Sequence, residues 1–157
     1  MKRLLSCCVA AVALASGAAI AAEDAVSAPR AESHATGTAA ATLTIRSTRF
    51  GRILFAGNGR VVYGFTRDRR GQPSRCYGDC ATAWPVYFAT SALKAGAGVK
   101  PSLLGTVRRR DGRRQVTYNG WPLYFYAHER AGEVRCQNVV THGGTWLVIR
   151  PSGALVR

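Results

Sequence analysis

Two seven-residue stretches decide the fold of this chain, VYGFTRD at residues 62–68 and LYFYAHE at residues 123–129. They lie 61 residues apart and share, in register, an apolar residue, a tyrosine, an aromatic residue and a closing acid. One unit of about 50 residues buries too little apolar surface to be stable alone. The sequence therefore predicts two pseudo-repeats, at about residues 50–90 and 104–151, that pack on each other.

The register between the two stretches continues downstream. With a one-residue gap in the alignment of the two repeats, Cys76 aligns with Cys136, and with one further gap Trp84 aligns with Trp146. Two copies of one unit explain this pattern better than unrelated segments do.

Short apolar runs joined by two-residue turns surround both stretches. Asn-Gly and Asp-Gly pairs between such runs favour type I′ hairpins. Helical periodicity is weak and extends over a single turn only at residues 79–84 and 101–104. These patterns predict a mainly β protein, a small antiparallel β domain built from two pseudo-repeats with short helical turns. The turn pairs are residues 58–59, 111–112 and 119–120.

The beginning of the chain is typical of an export signal. Lys2 and Arg3 precede an alanine-rich apolar run over residues 4–22, and residues 19–21 fit the small-residue pattern at which signal peptides are cleaved. We therefore expect residues 1–21 to be a signal peptide and the protein to be periplasmic or secreted. No long uncharged stretch follows, so no transmembrane segment is expected after cleavage.

Residues 22–42 consist mostly of Ala, Ser, Thr and Gly without apolar periodicity, which predicts a disordered linker. The folded part is then a single β domain over residues 43–157. This division leaves three of the five cysteines in the exported chain, because Cys7 and Cys8 lie in the signal peptide.

The chain is strongly basic, with 22 Lys and Arg against 8 Asp and Glu and a net charge of +14. Residues 43–157 alone hold 19 basic and 5 acidic residues. Such a surplus attracts anionic partners with a strong salt dependence. No helix-turn-helix, zinc-finger or aromatic RNA-binding motif accompanies it, which argues against a nucleic-acid role. The charge itself names no partner, and an anionic envelope polymer or a lipid surface is the candidate that it suggests.

The densest cluster of positive charge flanks the Asp111-Gly112 turn. Arg108, Arg109 and Arg110 precede this turn and two more arginines follow it, which places several guanidinium groups at one hairpin tip. A solvated loop is the default interpretation, and an anion-binding tip is the functional one.

Each of the two stretches ends in the same arrangement of two rings and an acid. Side chains two apart on a strand lie on one face, and the acid falls at the strand end. In one interpretation the rings fill the core, and the acid caps a turn or accepts a hydrogen bond from a tyrosine. In the other, two symmetric carboxylates beside aromatic rings form a carbohydrate-binding or glycosidase cleft. The residues concerned are Tyr63, Phe65 and Asp68 in the first repeat and Tyr124, Tyr126 and Glu129 in the second.

The chain resembles a family of secreted bacterial repeat proteins that share a Y-x-[FWY]-x-x-D motif. Members of this family are often lipid-anchored and have no assigned biochemical function. The resemblance runs from about Phe50 to the C-terminus. The matching stretches are residues 51–68, 76–80, 83–85, 104–106, 115–120 and 122–124.

Three departures from the family pattern qualify what the resemblance implies. Glu129 stands where the family usually has Asp, and Cys136 stands where Gly is common. The letters LLSC at residues 4–7 match a lipobox, but only two apolar residues precede the serine. The resemblance combined with this missing lipobox implies a soluble periplasmic or exported protein rather than an anchored one.

Three cysteines in an oxidising compartment allow at most one intramolecular disulfide. Cys76 and Cys80 lie four residues apart around a glycine and can pair if the loop curls, and proteins of the resembling family often have this pair. Cys136 is the repeat equivalent of Cys76, and a bridge between repeats would close a loop of about 60 residues, worth ~4 kcal/mol in the chain-entropy model. Both pairings stay open, with Cys76–Cys80 preferred.

These observations favour a non-enzymatic binding or envelope-associated module without a cofactor or metal. The alternative is a redox or metal-binding factor that uses the three cysteines, with His128 or His142 as a further ligand, or a hydrolytic factor that uses Asp68 and Glu129. The C-x-x-x-C spacing and the missing βαβ pattern separate the chain from thioredoxin-type proteins.

Overall fold

The computed structural model describes residues 42–157. The predicted signal peptide, and the predicted linker except for Thr42, lie outside the described residues. Strands dominate the described part, with one short helix and one 3₁₀ turn, Pro101–Leu103. In chain order the elements are β1 (Leu43–Thr48), β2 (Gly51–Ala56), β3 (Tyr63–Phe65), α1 (Asp79–Ala83), β4 (Leu104–Arg108), β5 (Arg114–Tyr118), β6 (Trp121–Pro122), β7 (Val139–Thr141) and β8 (Gly144–Val148).

Three small antiparallel sheets hold these strands. β1 and β2 form a hairpin in which Leu43 faces Ala56. β4, β5 and β6 form a second sheet in that order, and β3, β8 and β7 form a third. The third sheet joins the two halves of the sequence, because β3 from the first repeat pairs with β8 from the second, with Phe65 opposite Trp146. The predicted mainly β, antiparallel fold is confirmed.

The two repeats meet at an antiparallel bridge between Tyr63 and Tyr124. The amide of Tyr63 donates to the carbonyl of Tyr124 at 2.9 Å, and the amide of Tyr124 donates to the carbonyl of Tyr63 at 3.0 Å. These tyrosines are the equivalent residues of the two stretches that share a register. Each repeat therefore meets the other through the same segment.

Reciprocal hydrogen bonds between equivalent residues continue away from this bridge. Gly71 donates its N–H to the carbonyl of Gly120 at 2.8 Å, and Gly132, its repeat equivalent, donates to the carbonyl of Gly59 at 2.8 Å. A shift of 61 residues converts one bond into the other. The two pseudo-repeats are thus related by a pseudo-twofold arrangement in their backbone pairing.

Of the three predicted two-residue turns, one forms as expected. Asn119 and Gly120 both have positive φ, as a type I′ turn requires, and they connect β5 to β6. At the other two pairs, only Gly59 and Gly112 have positive φ among the turn residues, and the loop is one residue longer. A three-residue loop with glycine in the left-handed region replaces the expected turn there.

The repeats differ most in the segment that follows the motif acid. In the first repeat this segment contains α1, Asp79–Ala83, within the predicted helical turn. In the second repeat the equivalent segment is β7, Val139–Thr141, which pairs with β8. No helix in the described part of the chain is long and apolar enough to cross a membrane.

Candidate functional site

The motif tyrosines and acids bind each other across the two repeats. The Tyr63 hydroxyl donates to Glu129 Oε1 at 2.8 Å, and the Tyr124 hydroxyl donates to Asp68 Oδ2 at 2.6 Å. Each tyrosine therefore uses the acid of the other repeat rather than that of its own. We call these two contacts the tyrosine–carboxylate locks.

Further hydrogen bonds fix the acids within the locks. Asp68 Oδ1 accepts the N–H of Arg75 at 2.8 Å, and Glu129 Oε1 accepts the N–H of Arg135. In the lock between Tyr124 and Asp68, Ser74 Oγ lies 2.6 Å from the Tyr124 hydroxyl. Each acid thus also orders the loop that follows it, because it accepts a backbone amide from that loop.

Burial shifts the ionisation of all four lock residues. It raises the pKa of the Asp68 and Glu129 carboxyls, although the hydrogen bonds from Tyr124 and Tyr63 oppose this shift. Burial and the neighbouring carboxylate raise the pKa of both tyrosines far above their ordinary value. The tyrosines therefore remain protonated hydrogen-bond donors at any physiological pH.

A column of rings lies beside the locks and follows the same symmetry. Tyr63 meets Trp84 edge-on with centroids 5.3 Å apart, and Tyr124 meets Trp146 edge-on at 5.1 Å. Phe65 stacks on Trp146, the tryptophan of the other repeat, at 4.0 Å. The equivalent ring in the second repeat, that of Tyr126, meets Trp84 at 5.0 Å.

The structure places the motif residues inside the protein rather than on a recognition surface. Tyr63, Phe65 and Tyr124 are fully buried, and Asp68 and Glu129 are 4% and 5% exposed. Tyr126 is the half-buried member of the set. The burial of both acids and their neighbouring rings supports the core interpretation rather than an aromatic or glycosidase cleft.

The cysteines form the pair that the sequence analysis preferred. Cys76 is bonded to Cys80, whereas Cys136 is a free and buried thiol. Burial and the nearby Glu129 carboxylate raise the pKa of the Cys136 thiol. Within residues 42–157 no group of three or more His, Cys, Asp or Glu side chains is arranged to hold a metal ion.

The arginine hairpin between β4 and β5 divides into exposed and buried members. Arg108 and Arg110 are exposed. Arg109 is 5% exposed, and its guanidinium donates to Gln115 Oε1 and to the Cys76 carbonyl, both at 2.9 Å. Arg109 therefore attaches the disulfide loop to the hairpin and, unlike its two neighbours, does not present its charge at the exposed tip.

A surface depression of about 490 Å³ lies where this hairpin meets the disulfide loop. We call it the basic pocket. Sequence reasoning singled out Arg110 but missed Arg67, Arg75 and Tyr77, because they lie more than 30 residues before Arg110 in the chain. The residues that line the basic pocket are Arg67, Pro73, Ser74, Arg75, Tyr77 and Arg110.

The fold and the locks define a class of protein, a duplicated antiparallel β protein whose repeats exchange tyrosine–carboxylate hydrogen bonds. A family model described as a secreted repeat of unknown function matches residues 44–87 and 105–150, one match for each repeat. The chain belongs to this family, and the resemblance inferred from the sequence is confirmed. Comparisons with curated proteins and with solved structures give no match.

Proposed function

We propose that this secreted protein is a non-enzymatic module that binds an anionic polymer of the bacterial cell envelope. Binding occurs through many charge contacts on an arginine-covered surface, with the hairpin between β4 and β5 at its centre. The proposed location is the periplasm or the cell exterior, after cleavage of residues 1–21.

The distribution of charge carries this proposal. Within residues 43–157, 17 of the 19 basic side chains are exposed. Asp79 and Asp111 are the exposed acids of that range, and Glu133 is half-buried. The remaining two acids are inside the protein, in the tyrosine–carboxylate locks. The locks therefore remove negative charge from the surface and leave it strongly cationic.

Aromatic rings hold several of the exposed arginines in place. The Arg113 guanidinium lies 3.3 Å from the centroid of the Phe88 ring, and that of Arg46 lies 5.0 Å from the Phe55 centroid. A stacked guanidinium keeps its edge free for hydrogen bonds to an anion. It also loses less rotamer freedom on binding, which favours association with a flexible polymer.

Among the described residues the cysteine pair and the two motif acids are bonded to partners, and the free thiol of Cys136 is buried. Cys76 and Cys80 are joined to each other, and Asp68 and Glu129 each accept a tyrosine hydroxyl. A binding role requires none of these groups to react. A hydrolytic role would require Asp68 and Glu129 to meet a substrate, whereas both side chains are buried.

Retention on immobilised heparin, used as a polyanion probe, tests the proposal. The protein should be retained at low salt and released as salt increases, because binding displaces counterions from the polymer. A variant with R108Q, R113Q and R114Q should elute at lower salt than the parent protein. Arg110 is unchanged in this variant, so the basic pocket keeps its three arginines.

The matched control removes the same charge elsewhere, with R52Q, R130Q and R157Q. These three arginines are exposed and lie outside the hairpin and the basic pocket. Equal losses in the two variants would show that the hairpin is not the centre of binding. Retention that does not depend on salt, or no retention at low salt, would refute the electrostatic mechanism.

A further inference from the structure

The basic pocket collects arginines from three separate segments of the chain. Arg67 follows β3, Arg75 directly precedes the loop that the Cys76–Cys80 disulfide closes, and Arg110 lies at the tip of the hairpin between β4 and β5. All three are exposed. Their convergence at one depression is therefore a product of the fold rather than of a charge run in the sequence.

Contacts with Tyr77 fix the position of Arg110, and the same ring also contacts Arg109. The Tyr77 hydroxyl accepts the N–H of Arg110 at 3.2 Å, and the Arg110 guanidinium lies 4.0 Å from the centroid of the Tyr77 ring. The buried Arg109 guanidinium lies 4.3 Å from the same centroid. The ring of Tyr77 thus holds the hairpin tip and the disulfide loop together at the pocket.

The other two arginines are also positioned by hydrogen bonds. Arg67 Nη1 donates to the His142 carbonyl at 2.9 Å, and the backbone N–H of Arg75 donates to Asp68. Within residues 42–157 the ion pairs are Arg109 with Asp111 and Arg135 with Glu133. The three pocket arginines thus have no carboxylate partner among the described residues, so no carboxylate there competes with a bound anion for their charge.

The equivalent place in the second repeat is built differently. There His128 replaces Arg67 and Gln137 replaces Tyr77, while Arg135 occupies the position of Arg75. Glu133 lies 3.7 Å from the Arg135 guanidinium and neutralises it. The two repeats keep the same locks, so the divergence at the pocket is not explained by the demands of the core.

We propose that the basic pocket binds a phosphomonoester group carried by the anionic polymer. A phosphomonoester presents three terminal oxygens and close to two negative charges near neutral pH. Guanidinium groups match such oxygens with paired hydrogen bonds, so three of them around one pocket favour this group over a single carboxylate. This inference rests on the proposed function and names the chemical group that the same surface recognises.

Titration with inorganic phosphate, followed by ³¹P NMR, tests the pocket directly. The parent protein should bind phosphate more tightly than acetate at matched ionic strength. A variant with R67Q, R75Q and R110Q should bind phosphate roughly tenfold more weakly or worse, because it loses several charge-assisted hydrogen bonds. Far-UV circular dichroism and thermal melting check that the variant is folded, and R110Q alone should give a smaller loss in the same direction.

The control variant carries R49Q, R130Q and R135Q, which remove the same charge from exposed arginines outside the pocket. It should bind phosphate within about threefold of the parent protein, because only the long-range field changes. An equal loss in both variants would overturn the inference. So would acetate binding as tightly as phosphate in the parent protein.

The source of the phosphate group is distinguished with larger probes. Dextran carrying phosphomonoesters should bind more tightly than carboxymethyl dextran of equal charge density, and the pocket variant should lose this difference. Vesicles containing phosphatidic acid that outcompete the phosphorylated dextran would assign the group to a lipid headgroup and overturn the polymer as its carrier. Retention on heparin without phosphate discrimination would refute the pocket and leave the proposed function standing. Phosphate discrimination by the pocket without retention on heparin would refute polymer binding, and with it the polymer as carrier, and leave only a site for the phosphate group.

Discussion

Trp84 and Trp146 stack face to face at the centre of the protein, with ring centroids 3.9 Å apart and planes 2° from parallel. They are equivalent residues of the two repeats, and both are almost fully buried. Each also receives an aromatic ring from the opposite repeat, Tyr126 on Trp84 and Phe65 on Trp146. The two repeats therefore share a single aromatic core, and neither has a complete core of its own.

This shared core predicts that Trp84→Ala and Trp146→Ala destabilise the protein by similar amounts. Each substitution leaves a large cavity and removes a stacked neighbour from the other tryptophan, so we expect a loss of about 3–5 kcal/mol in the free energy of unfolding. Urea denaturation followed by circular dichroism measures it.

The third tryptophan serves as the control for these substitutions. Trp121 is only half-buried and packs against a different hydrophobic cluster. Trp121→Ala should therefore destabilise the protein less than either of the other two. A loss as large as theirs would show that the stacked pair has no special place in the fold.

The sequence predicted the duplication because equivalent residues keep the same order and spacing along the chain in both repeats. The shared order of Tyr63, Phe65 and Asp68 with Tyr124, Tyr126 and Glu129 identified equivalent residues and an antiparallel β fold. It could not show that each tyrosine binds the acid of the other repeat, since equivalence does not specify which copy provides a partner. That choice depends on how the repeats pack.

The candidate site was harder to predict for a related reason. Three adjacent arginines, Arg108, Arg109 and Arg110, look alike in the sequence, yet only Arg109 is buried. Its burial depends on acceptors far away in sequence, such as the Cys76 carbonyl 33 residues earlier. Contacts of this kind, like those that form the basic pocket, arise only from the tertiary fold.

The locks predict that Tyr63→Phe and Tyr124→Phe each destabilise the protein by about 1–3 kcal/mol, because a buried carboxyl loses its hydroxyl donor. In Tyr63→Phe the N–H of Cys136 also loses its acceptor, which lies 3.2 Å away. Tyr126→Phe is the control, since the Tyr126 hydroxyl has no hydrogen-bond partner among the described residues. Chemical denaturation should show a change of about 0.5 kcal/mol or less for this control.

A double-mutant cycle tests which copy provides each partner. The effects of Tyr124→Phe and Asp68→Asn on the free energy of unfolding should be non-additive, because the two side chains share one hydrogen bond. Tyr63→Phe and Asp68→Asn should be closer to additive, because Tyr63 binds Glu129 instead. Stronger coupling of Tyr63 to Asp68 than of Tyr124 to Asp68 would contradict the reciprocal arrangement.

The buried acids predict a specific pH dependence of stability. Burial raises the pKa of Asp68 and Glu129, so the folded state binds protons at pH values where the unfolded chain has released them. Their contribution to the free energy of unfolding should increase as the pH falls from neutral and level off below about 4, where the unfolded carboxyls are also protonated. Urea denaturation at a series of pH values measures it.

The variant with D68N and E129Q isolates this contribution from the repulsion among the many surface cations. Subtracting its stability profile from that of the parent protein should leave a difference that favours the parent increasingly toward acidic pH. A difference that instead grows toward neutral pH would mean that the folded protein stabilises ionised carboxylates.

The cysteine arrangement predicts one slow-reacting thiol in the described domain. Cys136 is 8% exposed and burial raises the pKa of its thiol, so iodoacetamide should label it only after unfolding. Peptide mapping without reduction should recover Cys76 linked to Cys80, with Cys136 labelled in the denatured sample. A peptide that links Cys136 to either of the other two would establish the bridge between repeats in its place.

Arg109 predicts a link between the core and the basic pocket. Arg109→Met keeps much of the apolar bulk but leaves Gln115 Oε1 and the Cys76 carbonyl without their donor, so we expect a loss of about 2–3 kcal/mol in unfolding free energy. The exposed Arg108→Met should change it by less than about 0.5 kcal/mol. Because Arg109 also holds the disulfide loop against the hairpin, Arg109→Met should weaken phosphate binding even in conditions where the variant is fully folded. Phosphate affinity equal to that of Arg108→Met, measured by ³¹P NMR, would show that the pocket does not depend on this attachment.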